Sequence, residues 1–433
     1  MNVPVKHSGV NWLGDIPAHW SVVQSRRLFV ERNQKARPGD LQLTVSQKYG
    51  LLPQAEFMER EGRRIVVVQK GHDILKRTLP GDFVISMRSF QGGLELSEHE
   101  GCVSSAYVPL TPVKWVVPGY FRWVFKSATY IQALQATSDL VRDGQALRFE
   151  NFAKVPLPHV PESEQMAIAV YLDRKTTRID SLVTKKSQFI DLLREKRQAL
   201  ITQAVTKGLG ARVPMKDSGV EWLGRIPAHW KPMALKHLVS TPITDGPHET
   251  PVKQDSGVPF ISAEAVSGGS IDFSKAWGFI SNEDNARFSK KYKPALNDIY
   301  MVKSGATTGV VAIVDCDVSF NIWSPLAAMR PSNAVVPRFL LHALRSAEFQ
   351  AGVALNWSYG TQQNIGMKVL ETLPVPTPPK DEQHVIATYL DCATSRIDAL
   401  IAKTERSIEL LREHRTALIT AAVTGKIDLR ASA

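Results

Sequence analysis

VPVKHSGVNWLGDIPAHW, residues 3–20, returns as VPMKDSGVEWLGRIPAHW at residues 213–230, identical at 14 of 18 positions and offset by 210 (213 − 3). A second element follows each copy. EQMAIAVYLDRKTTRIDSL begins at Glu164 and EQHVIATYLDCATSRIDAL at Glu382, an offset of 218 (382 − 164). The segments between them, from about Ser21 to Pro158 and from Lys231 to Pro376, align in no register, and the second is longer by 8 (218 − 210). One scaffold has been written twice around two unrelated inserts. The simplest use of such a chain is to recognise two different things at once.

The second element starts a long helix. No Pro or Gly occurs from Glu162 to Thr206, and apolar residues fall at Leu172, Ile179, Leu193 and Leu200, with Val183 and Ile190 on the adjoining track. That is a heptad seam. The second copy repeats it at Leu390, Ile397, Leu411 and Leu418, flanked by Ile401 and Ile408, and Lys186 and Thr404 interrupt the two seams at the same step. About 44 residues at about 1.5 Å each give roughly 65 Å, far beyond an average helix of about 11 or 12 residues. PESEQ and PPKDEQ supply start signals, and Lys207-Gly208 and Gly425-Lys426 supply stops. Two near-identical seams can pack on each other as an antiparallel pair, which would set the inserts at opposite ends of a rod; the alternative is that each helix packs only on its own insert.

Composition narrows the partner. The 433 residues suit two or three domains, with 43% hydrophobic and 22% charged residues and no low-complexity tract. No run of about 18 apolar residues could cross a bilayer and the start lacks a signal-peptide pattern, so a soluble, cytoplasmic chain without membrane contact is expected. Cys102, Cys316 and Cys392 are odd in number and far apart, which argues against a disulfide framework or clustered zinc site. The formal net charge of +11 favours a polyanion, because lysines and arginines gain affinity for phosphates by releasing counterions.

Both inserts alternate short β-type runs with turns. These are Arg64 to Gln69, Asp82 to Met87 and Ser105 to Leu110 in the first, and Val258 to Ser262, Asp298 to Lys303 and Gly309 to Val314 in the second. Helical patterns follow from Gly119 and from Pro337. Mixed α/β domains sharing a fold under different loops are expected. In the first insert Arg88, Ser89, Gln91 and Gly92 follow a strand, offering an Arg suited to guanine, a Gln suited to adenine and backbone able to approach a phosphate. In the second, Ser304, Thr307 and Thr308 follow the matching strand, and His248, Thr250, Gln362, Gln363 and Asn364 stand in further polar loops. Each has a bland reading as a structural turn. His19 and His229 read as structural too, parts of an apolar clasp where the chain enters each domain.

Chemistry of its own is missing from the chain. There is no GxxxxGK[ST], no HExxH and no Cys/His zinc spacing. The only Pro-Pro, Pro378-Pro379, is followed by Lys380 rather than the aromatic of an amino-methyltransferase motif, and no Pro-Asp…Asp/Glu-x-Lys nuclease signature occurs. No residue is assigned a catalytic or metal-binding role, and a non-enzymatic binding protein is expected. The competing readings are a piece of a self-sufficient methyltransferase or nuclease and a purely structural coiled-coil scaffold.

These phrases together resemble the specificity subunits of type I restriction-modification systems. The resemblance rests on SGVxWLGxIPAHW, PxPPxxEQxxIAxYLDxxTxRID, LLREHRTALITAAVTGKIDL, DFVISMRSFQGG, DGPHETP and KSGATTG, and covers essentially the whole chain. It implies an α/β (α+β) fold with a pseudo-two-fold internal repeat. Two mixed α/β target recognition domains, residues 1–158 and 211–376, would each read one half of a bipartite asymmetric site in double-stranded DNA. Two long conserved helices, within 159–210 and 377–433, would form an antiparallel coiled coil that sets the spacer. The resemblance further implies two modification (methyltransferase) subunits and restriction (translocase/endonuclease) subunits as partners. S-adenosylmethionine, ATP and Mg would sit on those partners and no cofactor on this chain.

Overall fold

The computed structural model describes residues 4–46, 48–62, 64–65, 74–86, 93–137, 147–267, 269–359 and 363–429. Two helices of unusual length, Glu162–Lys207 and Lys380–Val423, organise the fold. Their limits follow from the sequence. Pro161 and Pro378-Pro379 stand just before them, and Glu162, Glu164, Asp381 and Glu382 place negative charge on the first turns, where the helix dipole favours it. At the far ends the chain leaves through left-handed glycines. Gly425 (φ 75°) closes a two-bond cap, with its N–H on the Ala422 carbonyl at 3.2 Å and the Lys426 N–H on the Ala421 carbonyl at 2.8 Å. Gly208 (φ 74°) closes the other helix with a single bond to the Ala204 carbonyl at 3.1 Å.

The chain divides into two compact units, Met1–Lys186 with Arg406–Ala433, and Ser187–Glu405. Each unit holds one insert, the opening part of one long helix and the closing part of the other. Inside each, the two helix segments run antiparallel. In the second unit Arg194 pairs with Glu405 at 3.2 Å and Arg197 with Asp398 at 2.8 Å, so numbers climb on one helix as they fall on the other. In the first unit Asp180 pairs with Arg415 at 2.9 Å, while the end of the second helix, at Gly425, lies against Trp20 beside the start of the first.

The seam positions are buried or half-buried along these segments. Leu172 and Leu390 are fully buried, Ile179, Leu193, Ile397 and Leu418 are buried, and Leu200 and Leu411 are half-buried. Burial of one such side chain is worth roughly 1.5–3 kcal/mol, whereas an exposed ion pair contributes up to about 1 kcal/mol. The interruption falls at half-buried Lys186 and buried Thr404, whose hydroxyl is satisfied by donating to the Leu400 carbonyl at 2.7 Å. The helices do not choose between packing on each other and packing on an insert. Leu172, Ile179 and Leu418 join the apolar core of the first insert around Phe29, Phe83 and Phe125, and Leu390 joins that of the second around Ile299 and Phe339.

Both inserts carry the same sheet. In the first, the order is Phe29–Glu31, Tyr107–Pro112, Phe83–Ser86, Glu95–Leu96; in the second, Thr244–Asp245, Leu326–Met329, Ile299–Val302, Val311–Ile313. Every pair is antiparallel. Numbered along the chain, both sheets have the order first, fourth, second, third, so two sequences without alignment fold to one topology. Paired short helices follow, Pro118–Lys126 with Ala128–Gln135 and Pro337–Leu344 with Ala347–Leu355, where the helical patterns stand. A closing strand then returns to the entry strand: Leu157–His159 on Ser21–Val23, and Pro374–Thr377 on Lys231–Ala234. Of the strand runs, Arg64 and Ile65 lie in no strand, and 66–69 lie outside the described residues.

The repeated tetrad Trp, His, Glu, Gln fastens each insert to its helix. The Trp20 indole donates to Glu164 Oε2 at 2.8 Å and His19 Nε2 lies 2.7 Å from Glu164 Oε1. Trp230 and His229 repeat this on Glu382 at 3.1 and 2.8 Å. The next residue reaches the other way. Gln165 Oε1 accepts from the Val117 N–H at 2.9 Å, and Gln383 Oε1 from the Val336 N–H at 2.7 Å, each at the start of a short helix of the insert. The recurring histidines are thus parts of a structural clasp.

Candidate nucleic-acid interface

In the second unit the strand Ile299–Val302 delivers Lys303, and three polar loops meet around it. The loop that follows, 304–309, turns back by bonding the Gly309 N–H to the Val302 carbonyl at 2.8 Å and the Thr308 hydroxyl to the Gly305 carbonyl at 2.7 Å. It is joined to the edge strand Gln363–Asn364. The Gly305 N–H donates to the Gln363 carbonyl at 3.0 Å, Ser304 bridges Asn364, and the Ile365 N–H donates to the Lys303 carbonyl at 2.9 Å. Ser304, Thr308, Gln363 and Asn364 are therefore neighbours, with Thr307, Gln363 and Asn364 exposed.

The third loop, 245–250, is tied in through charge. Lys303 Nζ lies 3.2 Å from Asp245 Oδ2, and the same carboxylate takes Lys291 Nζ and, at 3.0 Å, His248 Nε2. Asp245 is 1% exposed, so it is a buried acid shared by three nitrogen groups from three parts of the chain. Burial alone would raise its carboxyl, but Lys291 and Lys303 overcome that and hold it below the usual carboxylate range. Beside it opens a cavity of about 420 Å³ lined by Gly246, Pro247, His248, Arg287, Lys291 and Asn321. His248 and Thr250 are exposed at its loop.

In the first unit the equivalent strand is Phe83–Ser86, and Arg88, Ser89, Gln91 and Gly92 lie outside the described residues, as does Gln362 in the second. The acid just before each strand is structural. Asp82 accepts from the Leu79 N–H at 2.8 Å and from Arg32 at 2.6 Å; Asp298 accepts from the Ala295 N–H at 2.9 Å and from Arg330 at 2.7 Å. Sequence reading missed Lys291 as a member of the cluster. It stands in the run Lys290-Lys291-Tyr292-Lys293, which signals nothing beyond a basic turn.

A second surface is built twice from the repeat itself. In the first unit Asp173, Thr176, Asp180 and Arg415 line a groove in which the Trp123 indole donates to Asp173 at 2.8 Å. In the second, Asp391, Thr394, Asp398 and Arg197 line one in which His342 Nε2 lies 2.7 Å from Asp391. Exposed leucines recur as well: Leu182 and Leu400 are 40% and 41% exposed, Leu192 and Leu410 61% and 49%. Among the described residues no group of three or more His, Cys, Asp or Glu could hold a metal ion, and no helix is long and apolar enough to cross a membrane.

Comparison with known proteins places this architecture. Residues 227–410 match the model of the type I restriction modification DNA specificity domain. The type I restriction enzyme EcoBI specificity subunit of Escherichia coli is 24% identical over 318 residues, 72% of this chain and 64% of that one. The putative type I restriction enzyme MjaX specificity subunit of Methanocaldococcus jannaschii is 29% identical over 210 residues, 46% of each. The chain thus spans less than two thirds of the length of these relatives. Among solved structures, a chain from work on complex assembly and conformational transition of the type I R-M system superposes with a TM-score of 0.69 at 15% identity, covering 95% of this chain and 99% of that one. The HsdS subunit from Thermoanaerobacter tengcongensis gives 0.57 at 16% identity, covering 95% and 98%. At such identities the likeness is one of fold.

Proposed function

We infer that this chain is a specificity subunit of a type I restriction-modification system, a reading supported by the domain match over residues 227–410 and by the shared fold. It is the DNA-recognition component of such a system. It binds double-stranded DNA at a bipartite asymmetric target, one block read by each insert, and the two long helices set the gap between the blocks. The observation that carries this reading is the sheet of order first, fourth, second, third built twice from unrelated sequence on one repeated frame. A repeated frame keeps two readers equivalent in support; unrelated inserts let them read different bases. Lysines and arginines would anchor phosphates while loop side chains test base edges.

The chain performs no catalysis of its own. It positions two methyltransferase subunits and the restriction subunits, which bring S-adenosylmethionine, ATP and Mg, in the cytoplasm. Two copies of one partner need two copies of one surface, and the repeated grooves and exposed leucines on the helices are that surface. To test the reading, the complex with its methyltransferase subunit is titrated with duplexes in which either block is scrambled. Each scrambled block is expected to weaken binding by several kcal/mol, at about 1–3 kcal/mol per mismatched pair. Binding insensitive to one of the blocks would remove the second reader.

A further inference from the structure

We propose that the Asp245 cleft of the second unit grips a phosphodiester of the DNA backbone through Lys291, with Asp245, His248 and Lys303 as positioning residues. This rests on the reading of the chain as a DNA-recognition subunit and adds where, and how, one of its inserts holds the strand. A spare donor at the cavity, rather than net charge, points to an anion: Arg287 pairs with Glu249 and with Asp284 at 2.6 Å, and Lys291 and Lys303 pair with Asp245, so three cations face three carboxylates. A lysine offers three N–H donors. Lys291 spends one on Asp245 and one, at 3.3 Å, on the Gly246 carbonyl, and its side chain is 51% exposed beside the cavity. His248 is bonded to Asp245 through Nε2 and is 70% exposed at the same mouth.

Donor count argues for backbone rather than base. With two of its three N–H groups spent on Asp245 and Gly246, Lys291 has one left, too few for a two-bond contact with a guanine edge and enough for a phosphate oxygen, and phosphate contacts fix register without carrying sequence. The buried acid removes the freedom such a lysine would otherwise have. Lys303, 14% exposed, connects this acid to the 304–309 and 363–364 loops, so a strand held at Lys291 is held in fixed relation to Ser304, Thr307 and Asn364.

The test uses the complex with its methyltransferase subunit, in wild-type, Lys291→Ala and Lys291→Arg forms, titrated between about 50 and 200 mM salt on a target duplex and an unrelated one. For Lys291→Ala the affinity for both duplexes is expected to fall by the same factor. The slope of log affinity against log salt should be shallower by about one phosphate's worth, roughly 0.9, and the methylated motif should stay the same. Lys291→Arg, which keeps the charge, is expected to restore the slope. A loss confined to the target duplex with a relaxed motif would make Lys291 a base reader and overturn the proposal. Unchanged affinity and slope in Lys291→Ala would overturn it as well, with DNA recognition by the chain intact. A wild-type complex that binds neither duplex would instead overturn the DNA-recognition reading on which the proposal rests.

Discussion

Trp20→Ala and Trp230→Ala are each expected to lower the stability of the unit they belong to by about 3–5 kcal/mol, the range for deleting a buried tryptophan side chain. Trp20 is 1% exposed and Trp230 0%, and both are bonded to the glutamate of the second repeat. Truncation opens a cavity and removes one donor from Glu164 or Glu382. It also removes the wall against which a helix end rests: a Cβ on Gly425 would lie 3.1 Å from Trp20 Cη2, and one on Gly208 would lie 3.3 Å from Trp230 Cζ2. Trp20→Phe separates the contributions, since it keeps most of the volume and loses the indole N–H; about 1–3 kcal/mol is expected for it. Denaturant unfolding followed by circular dichroism measures both. A loss under about 1 kcal/mol in Trp20→Ala would show that the clasp is not what fastens insert to helix.

The second large effect concerns the gap. Adding one heptad to each long helix where the two units divide, between Lys186 and Ser187 and between Glu405 and Arg406, keeps the seam on one face. Seven residues add about 10 Å, and at about 3.4 Å per base pair the gap between the recognised blocks is expected to widen by about three base pairs. Both blocks should keep their bases, because neither insert is touched. A heptad added to one helix alone puts the antiparallel seam out of step and is expected to abolish recognition. Methylation mapped in cells carrying each variant decides this. An unchanged gap with both helices lengthened would mean that the helices are not the ruler.

What could be read in the sequence follows range of interaction. The two repeats announce themselves, and the helices are legible because a heptad seam is a local pattern, as at Leu172, Ile179, Leu390 and Ile397. Several strands of the shared sheet are legible too, as at Asp82 to Met87 and Asp298 to Lys303, but their pairing order is not, since the strands are two to six residues long and the neighbours are distant in the chain, as with Tyr107–Pro112 beside Phe29–Glu31. The partner of the recurring Trp and His was hidden for a related reason. It is the glutamate of the other repeat, 144 residues after Trp20 but 152 after Trp230, so no fixed spacing betrays it. The polar loops after the strands are visible as turn chemistry, yet their convergence depends on pairs such as Asp245 with Lys291, 46 residues apart. Only a fold brings those together.

Two readers on one repeated frame would show themselves if the chain is expressed with the methyltransferase subunit proposed for it and every methylated base in the host genome is located by single-molecule sequencing. The expected motif is two unlike blocks separated by a fixed run of unspecified bases. A single continuous motif, or two blocks at a variable gap, would contradict it.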